Sequence, residues 1–198
     1  MLKSLTMAQI DSRRPRGPRA PYSKGVAKRA EILDCALRLY GISPGHAPTL
    51  SAIADEANLT EAGVLHYFGS KTELFVEVLR SRDAQIRDHY DVDDPNFVWQ
   101  YLQDMTKTPG LMRLFEDMSL AATDPEHPAA AFMVEHENLA RQVITRALNI
   151  DDEEIVNTLI ATAEGLSIRW LRDPSVDIVG SLRSLIRSLG LLPANDQS

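Results

Sequence analysis

The sequence predicts an all-α chain of about nine helices, and three observations carry that expectation. Apolar residues recur at helical spacing along almost all of residues 24–190. Clusters of Gly, Pro, Asn and Asp cut this pattern into segments at 41–48, 91–96, 108–110, 123–128, 149–152 and 173–177. No strand alternation, hairpin signal or solenoid-period repeat interrupts it. With 198 residues, 44% hydrophobic and 25% charged, the chain has room for one or two domains and a sizeable core.

Residues 1–22 hold no apolar period. Arg13, Arg14, Arg16 and Arg19 are interspersed with Pro15, Pro18 and Pro21, so a flexible basic arm is expected. A first helix runs from about Lys24 to Tyr40 on a stripe of Ile32, Leu33, Ala36, Leu37 and Tyr40. Thr49 is an N-cap for a second helix whose apolar face is Leu50, Ile53, Ala54 and Ala57, and Asn58 suits the left-handed stop after it. Thr60 caps a very short third helix through about Tyr67, which Gly69 breaks. Ser70 and Glu73 form a capping-box pattern for a fourth, with Leu74, Phe75, Val78 and Leu79 inward. The fourth helix is placed at 70–89, and the rest at 95–107, 110–122, 128–148, 152–172 and 176–190. The expected division is an arm (1–22), a three-helix head (23–70) and a larger helical domain (71–198).

The formal charge of -7 is unevenly spread. Residues 1–82 carry 12 Lys and Arg against 8 Asp and Glu, and residues 83–198 carry 9 against 20. A basic leading segment on an acidic chain fits a local polyanion contact or a solubilising tail. The lone Cys35 excludes an intramolecular disulfide framework and fits a reducing, cytoplasmic setting; it reads as a small buried apolar residue, not a nucleophile. No apolar run approaches the roughly 18 residues a membrane span needs, and the first residues lack a secretory signal's apolar stretch, so no membrane partner is expected.

Two short helices joined by a turn and braced by an earlier helix make a helix-turn-helix, whose second helix enters the DNA major groove. Such a helix buries one side and leaves the other bare. Leu59, Val64, Leu65 and Phe68 supply the buried side. Thr60, Glu61, Ala62, Gly63, His66 and Tyr67 remain, and the small Ala62 and Gly63 permit close approach to the groove. The bareness makes sense if the missing packing partner is double-stranded DNA.

Several motifs now stand in order: Ile53-Ala54, Leu59-Thr60, Leu65-His66-Tyr67-Phe68 and Ser70-Lys71-Thr72-Glu73-Leu74. Together with RAEILDCALRLY at 29–40, they resemble the DNA-binding domain of the TetR family of transcriptional regulators. Two departures stand out: Asn58 replaces the family's frequent turn glycine, and Glu61 occupies a position that is often basic or neutral. A carboxylate at Glu61 either accepts from a cytosine amino group or supports its own helix start through the dipole, and the second reading is preferred. The resemblance implies that Tyr67 donates to a backbone phosphate, that Phe68 fills the core beside Phe75, and that Lys71 meets a phosphate with helix amides assisting. Thr49 and Thr60 are phosphate candidates at their helix starts. His66 is a candidate for phosphate or base. Arg13, Arg14, Arg16 and Arg19 are candidates for an adjacent minor groove.

The resemblance also implies a homodimer built on the last two helices, a small-molecule effector cavity, and an operator read in successive major grooves. Ile155, Leu159, Ala163 and Leu166 form one candidate dimer stripe, and Ile178, Leu182, Leu185 and Leu189 another. Candidate cavity residues are Trp99, Leu102, Met105, Met112, Phe115, Met118, Phe132, Met133, His136 and Trp170, since Met and aromatic side chains make adaptable apolar walls. Plain core is the bland alternative for each. Glu116, Asp117, Glu135 and Glu137 would reward a cationic ligand or lie on solvated faces, the latter being preferred. The expected function is a palindrome-binding repressor released by a small apolar or amphipathic ligand, with activation open because its sign depends on operator position.

Two other classes compete. One is a ligand-independent DNA-binding or protein-interaction module with a filled second domain. The other is an enzyme or metal protein using His127, His136, Glu126, Glu135 and Glu137. No HExxH, CxxC, nucleophile–base motif or Gly-rich phosphate loop appears, so neither catalysis nor a cofactor or metal is expected.

Overall fold

The computed structural model describes residues 20–42, 48–91, 94 and 96–191. Among these, the chain forms nine helices and no strand. They are α1 (Ala20–Ile42), α2 (Leu50–Glu56), α3 (Glu61–Phe68), α4 (Lys71–His89), α5 (Phe97–Met105), α6 (Pro109–Ala121), α7 (Ala129–Leu148), α8 (Glu153–Arg172) and α9 (Ile178–Ser188). The first helix begins at Ala20, ahead of the start that periodicity predicts near Lys24. Arg13, Arg14, Arg16 and Arg19 lie outside the described residues.

Side-chain caps set the starts of the short helices. Thr49 Oγ1 accepts from Ala52 N at 3.1 Å, Thr60 Oγ1 from Gly63 N at 3.1 Å, and Ser70 Oγ from Glu73 N at 3.1 Å. Asn58 takes the left-handed conformation, φ 53°, that turns α2 into α3. Asp152 and Asp177 cap α8 and α9 in the same way as the threonines. No described helix is long and apolar enough to cross a membrane.

Two buried clusters hold the helices together. The first takes Ile32, Leu37 and Tyr40 of α1, Ile53 of α2, Val64 and Phe68 of α3, and Leu74, Val78 and Leu79 of α4. It continues into Leu111, Leu114 and Phe115 of α6 and Ala129 and Phe132 of α7. Core packing therefore runs straight through residue 70, where the sequence reading divides the chain. The second cluster joins α5, α6, α8 and α9 through Trp99, Leu102, Met112, Leu159, Leu166, Ile178, Leu182 and Ile186.

This second cluster takes up much of the two stripes expected at the dimer surface. Leu159, Leu166, Ile178 and Leu182 are buried within their own subunit, and Ile155, Ala163 and Leu185 pack against them. Of the expected stripes only Leu189 stands out in solvent. A helix packed on its own neighbours shows the same apolar period as one packed on a partner, so the stripe alone could not separate the two.

Candidate functional site

The head is braced by the basic residues of α1. Lys28 Nζ donates to the Ala57 carbonyl at the end of α2 at 2.7 Å, where a cation also complements the helix dipole. Arg29 pairs with Glu77 of α4 at 2.6 Å and lies over the Phe68 ring, 4.7 Å from its centroid. Arg38 pairs with Glu56 at 3.3 Å. These contacts tie α2, the end of α3 and α4 to one long helix and use positive charge for structure. Residues 24–78 carry 5 basic and 7 acidic side chains, so the folded head is not itself basic.

The bare face of the two-helix unit is open. Thr49, Thr60, Glu61, Ala62, His66 and Lys71 are exposed, and Gly63 and Tyr67 partly so. Val64 and Phe68 point inward, with Leu59 and Leu65 against the same core. The His66 and Tyr67 rings meet edge to face at 5.8 Å. Lys71, in the first turn of α4, extends over the Phe75 ring, 5.3 Å from its centroid. Gly69 at φ +80° makes the sharp break between α3 and α4, a conformation costly to any residue with a Cβ.

At the other end of α4 lies a cavity of about 710 Å³, bordered by α4 to α9 and open to solvent on one side. Seven of the ten expected lining residues border it: Trp99, Leu102, Met105, Met112, Phe115, Met133 and His136. Met118, Phe132 and Trp170 do not. Phe132 is buried in the first core and Met118 packs on it, while Trp170 packs on the second. Phe115 belongs to the first core and to the cavity wall, so the head and the cavity share a side chain.

The polar part of the wall is richer than the sequence suggested. Arg82 and Asp83 of α4 are both buried, and Arg82 Nη2 donates to Asp83 Oδ1 at 3.0 Å. Asp83 Oδ2 lies 2.8 Å from His136 Nδ1 on α7. Burial alone would raise the Asp83 carboxyl, but the His136 hydrogen bond and the Arg82 charge hold it below the ordinary range. Burial, then the like charges of Glu164 and Asp117, push Glu116 up to about 7 against the pull of Arg82. Burial and then the charge of Glu137 raise Glu164 too. Glu116 thus leaves the solvated face on which the sequence reading placed it.

Sequence reasoning missed Arg82, Asp83, Tyr101 and Glu164 as cavity residues. A signal was present for two of them: the inner stripe of α4, Phe75 and Leu79, continues at helical spacing through Arg82 and Ile86, which puts a charged pair where the pattern calls for apolar residues. Among the described residues no group of three or more His, Cys, Asp and Glu could hold a metal ion. Glu135 pairs with Arg80, Glu137 with Arg141 and His136 with Asp83, so the three adjacent side chains point to three different partners.

Residues 32–78 match the family model of bacterial regulatory proteins, tetR family. The nucleoid occlusion factor SlmA of Shewanella sp. (strain W3-18-1) is 22% identical over 169 residues, 76% of this chain and 86% of that protein. The HTH-type transcriptional regulator BetI of Rhizobium meliloti (strain 1021) is 39% identical over 61 residues, 31% of this chain and 30% of that protein. Among solved structures, a TetR transcriptional regulator from Rhodococcus sp. RHA1 superposes with a TM-score of 0.60 at 19% identity, covering 87% of this chain and 99% of that one. At that identity the likeness is one of fold.

Proposed function

We propose that this chain, a DNA-binding transcriptional regulator of the TetR family and not an enzyme, works as a homodimeric repressor released from a palindromic operator by a small apolar or amphipathic molecule. One observation carries the reading. Helix α4 begins at Lys71 on the open face of the head and contributes Arg82, Asp83 and Ile86 to the cavity wall. At about 1.5 Å per residue, the same rigid element joins two places roughly 18 Å apart. A molecule that fits one arrangement of the cavity better than the other biases the position of α4 and hence of the head.

The dimer is assigned to the outer side of α8 and α9. Gly165 and Ile168 are exposed there on α8, with Ser181, Ser184 and Ser188 on α9. A Cβ at Gly165 would meet nothing of its own subunit within 4 Å, which leaves the position open to a neighbour. Two heads held in this way read two half-sites about one helical turn apart. A repressor whose single cysteine, Cys35, is buried and free belongs with its DNA in the reducing cytoplasm.

The test is selection of genomic DNA fragments by the purified protein, followed by anisotropy titrations of the recovered site at two salt concentrations. The reading requires tight, salt-sensitive binding to a palindrome, weakened about tenfold or more by Tyr67→Ala. Failure to enrich any site would refute it.

A further inference from the structure

The charges around the cavity do not cancel. Six charged side chains line it: Arg82, Asp83, Glu116, Glu137, Arg141 and Glu164. Arg82 is committed to Asp83 at 3.0 Å, and Arg141 to Glu137. The nearby Arg183 is stacked on the Trp99 ring, 4.9 Å from its centroid, and does not line the space. Glu116, half-buried, and Glu164, exposed to solvent where it borders the cavity, are left over. Neither makes a hydrogen bond or ion pair among the described residues, and they repel one another across α6 and α8. The neutral polar groups on the wall are Tyr101, Ser119, Thr123, His136, Asn157 and Ser167, and most of the remainder is apolar, including Trp99, Leu102, Met105, Met112 and Phe115.

Resting on the effector-cavity reading above, we propose that the molecule admitted to this cavity is an organic cation: an apolar body ending in an amine or quaternary ammonium group, its charge held by Glu116 and Glu164. A cation of this kind supplies the counter-charge that the wall lacks and buries its apolar body against the aromatic and methionine side chains. A neutral body of the same shape leaves the two carboxylates facing each other. An anion of the same shape adds a third negative charge to the pair. Selection is therefore by charge as well as by shape.

Three probes with one tail separate the possibilities: octyltrimethylammonium, 1-octanol and octyl sulfate, each titrated below micelle formation into the full-length protein by calorimetry at mildly alkaline pH. The cation should bind about tenfold or more tightly than either of the others. Glu116→Gln and Glu164→Gln, isosteric changes whose folding is checked by thermal melting, should each weaken the cation several-fold and leave octanol unchanged. Octanol or octyl sulfate binding as well as the cation, or both variants binding the cation as the wild type does, would overturn the charge assignment while leaving the effector cavity standing. Absence of binding by all three would overturn the cavity reading together with it.

Discussion

Asp83 on α4 and His136 on α7 meet through Oδ2 and Nδ1 at 2.8 Å, and they do so in the cavity wall. The contact ties the helix that leaves the head to a helix that closes the cavity, and Asp83 also neutralises the buried Arg82. Removing the carboxylate strands a buried guanidinium. Asp83→Ala should therefore lose roughly 3–5 kcal/mol in urea unfolding, the usual cost of orphaning one partner of a buried pair. His136→Ala should lose less, because the Arg82–Asp83 pair survives. The folded-state pKa of Asp83 is depressed, so its contribution is present above the ordinary carboxylate range and disappears as pH falls through the lowered value. The acid limb of the stability curve should be shallower in Asp83→Asn.

Glu116 has the opposite sign. Its folded pKa is raised to about 7, so its relative contribution is most favourable below the unfolded value and is lost as pH rises through 7. Glu164 from α8, its neighbour Asp117 and Arg82 from α4 act on it, and Tyr101, His136 and Glu137 line the same cavity. Glu116→Gln should match the wild type in mild acid and exceed it in mild alkali by about 1 kcal/mol. Partial exposure and solvent screening keep the gain well below a full conversion of the shift. Melting curves across that pH window check it.

Asn58 occupies a left-handed position, φ 53°, in the turn between α2 and α3. Asn58→Gly should leave stability and operator affinity nearly unchanged. Asn58→Val should destabilise by about 1–2 kcal/mol, since a β-branched residue is strained there. Chemical denaturation of the pair distinguishes backbone strain from loss of an asparagine contact to DNA.

Gly165→Trp tests the dimer. The position is exposed and its Cβ would meet open space in the single subunit, so the fold should be unaffected. Sedimentation should show a shift from dimer to monomer with an unchanged helical spectrum, and operator affinity should fall with it.

The folded head carries 5 basic and 7 acidic side chains between residues 24 and 78, and several of the basic ones brace α1 against its neighbours. Attraction to phosphate is therefore assigned largely to Arg13, Arg14, Arg16 and Arg19. Replacing all four with Ala should reduce the slope of log affinity against log salt by about 3–4, at roughly 0.9 per lost phosphate contact. Titrations over a salt series measure it.

Helix positions were legible because local chemistry sets them. Thr49, Thr60 and Ser70 each cap a helix through their own hydroxyl, and Asn58 and Gly69 take the backbone that ends one. The open face of α3 was legible for the same reason: Ala62, Gly63 and His66 break a stripe that Val64 and Phe68 keep. The α8 and α9 stripes do not by themselves separate core from interface, because burial against a neighbouring helix and burial against a second subunit demand the same side chains at the same period. Cavity walls share that ambiguity with plain core, which is why Met118, Phe132 and Trp170 were not separated from Met112, Phe115 and Trp99. The Arg82–Asp83–His136 contact depends on α4 and α7 meeting across 53 residues of chain, which no local pattern encodes.

Operator release reads the coupling between cavity and head directly. Labelled operator bound to the wild-type protein would be titrated with octyltrimethylammonium and followed by anisotropy, beside calorimetry of the same ligand. Operator affinity should fall about tenfold or more over the concentration range in which the cavity fills. Calorimetric saturation of the cavity with operator affinity unchanged would contradict the claim that α4 couples the two sites.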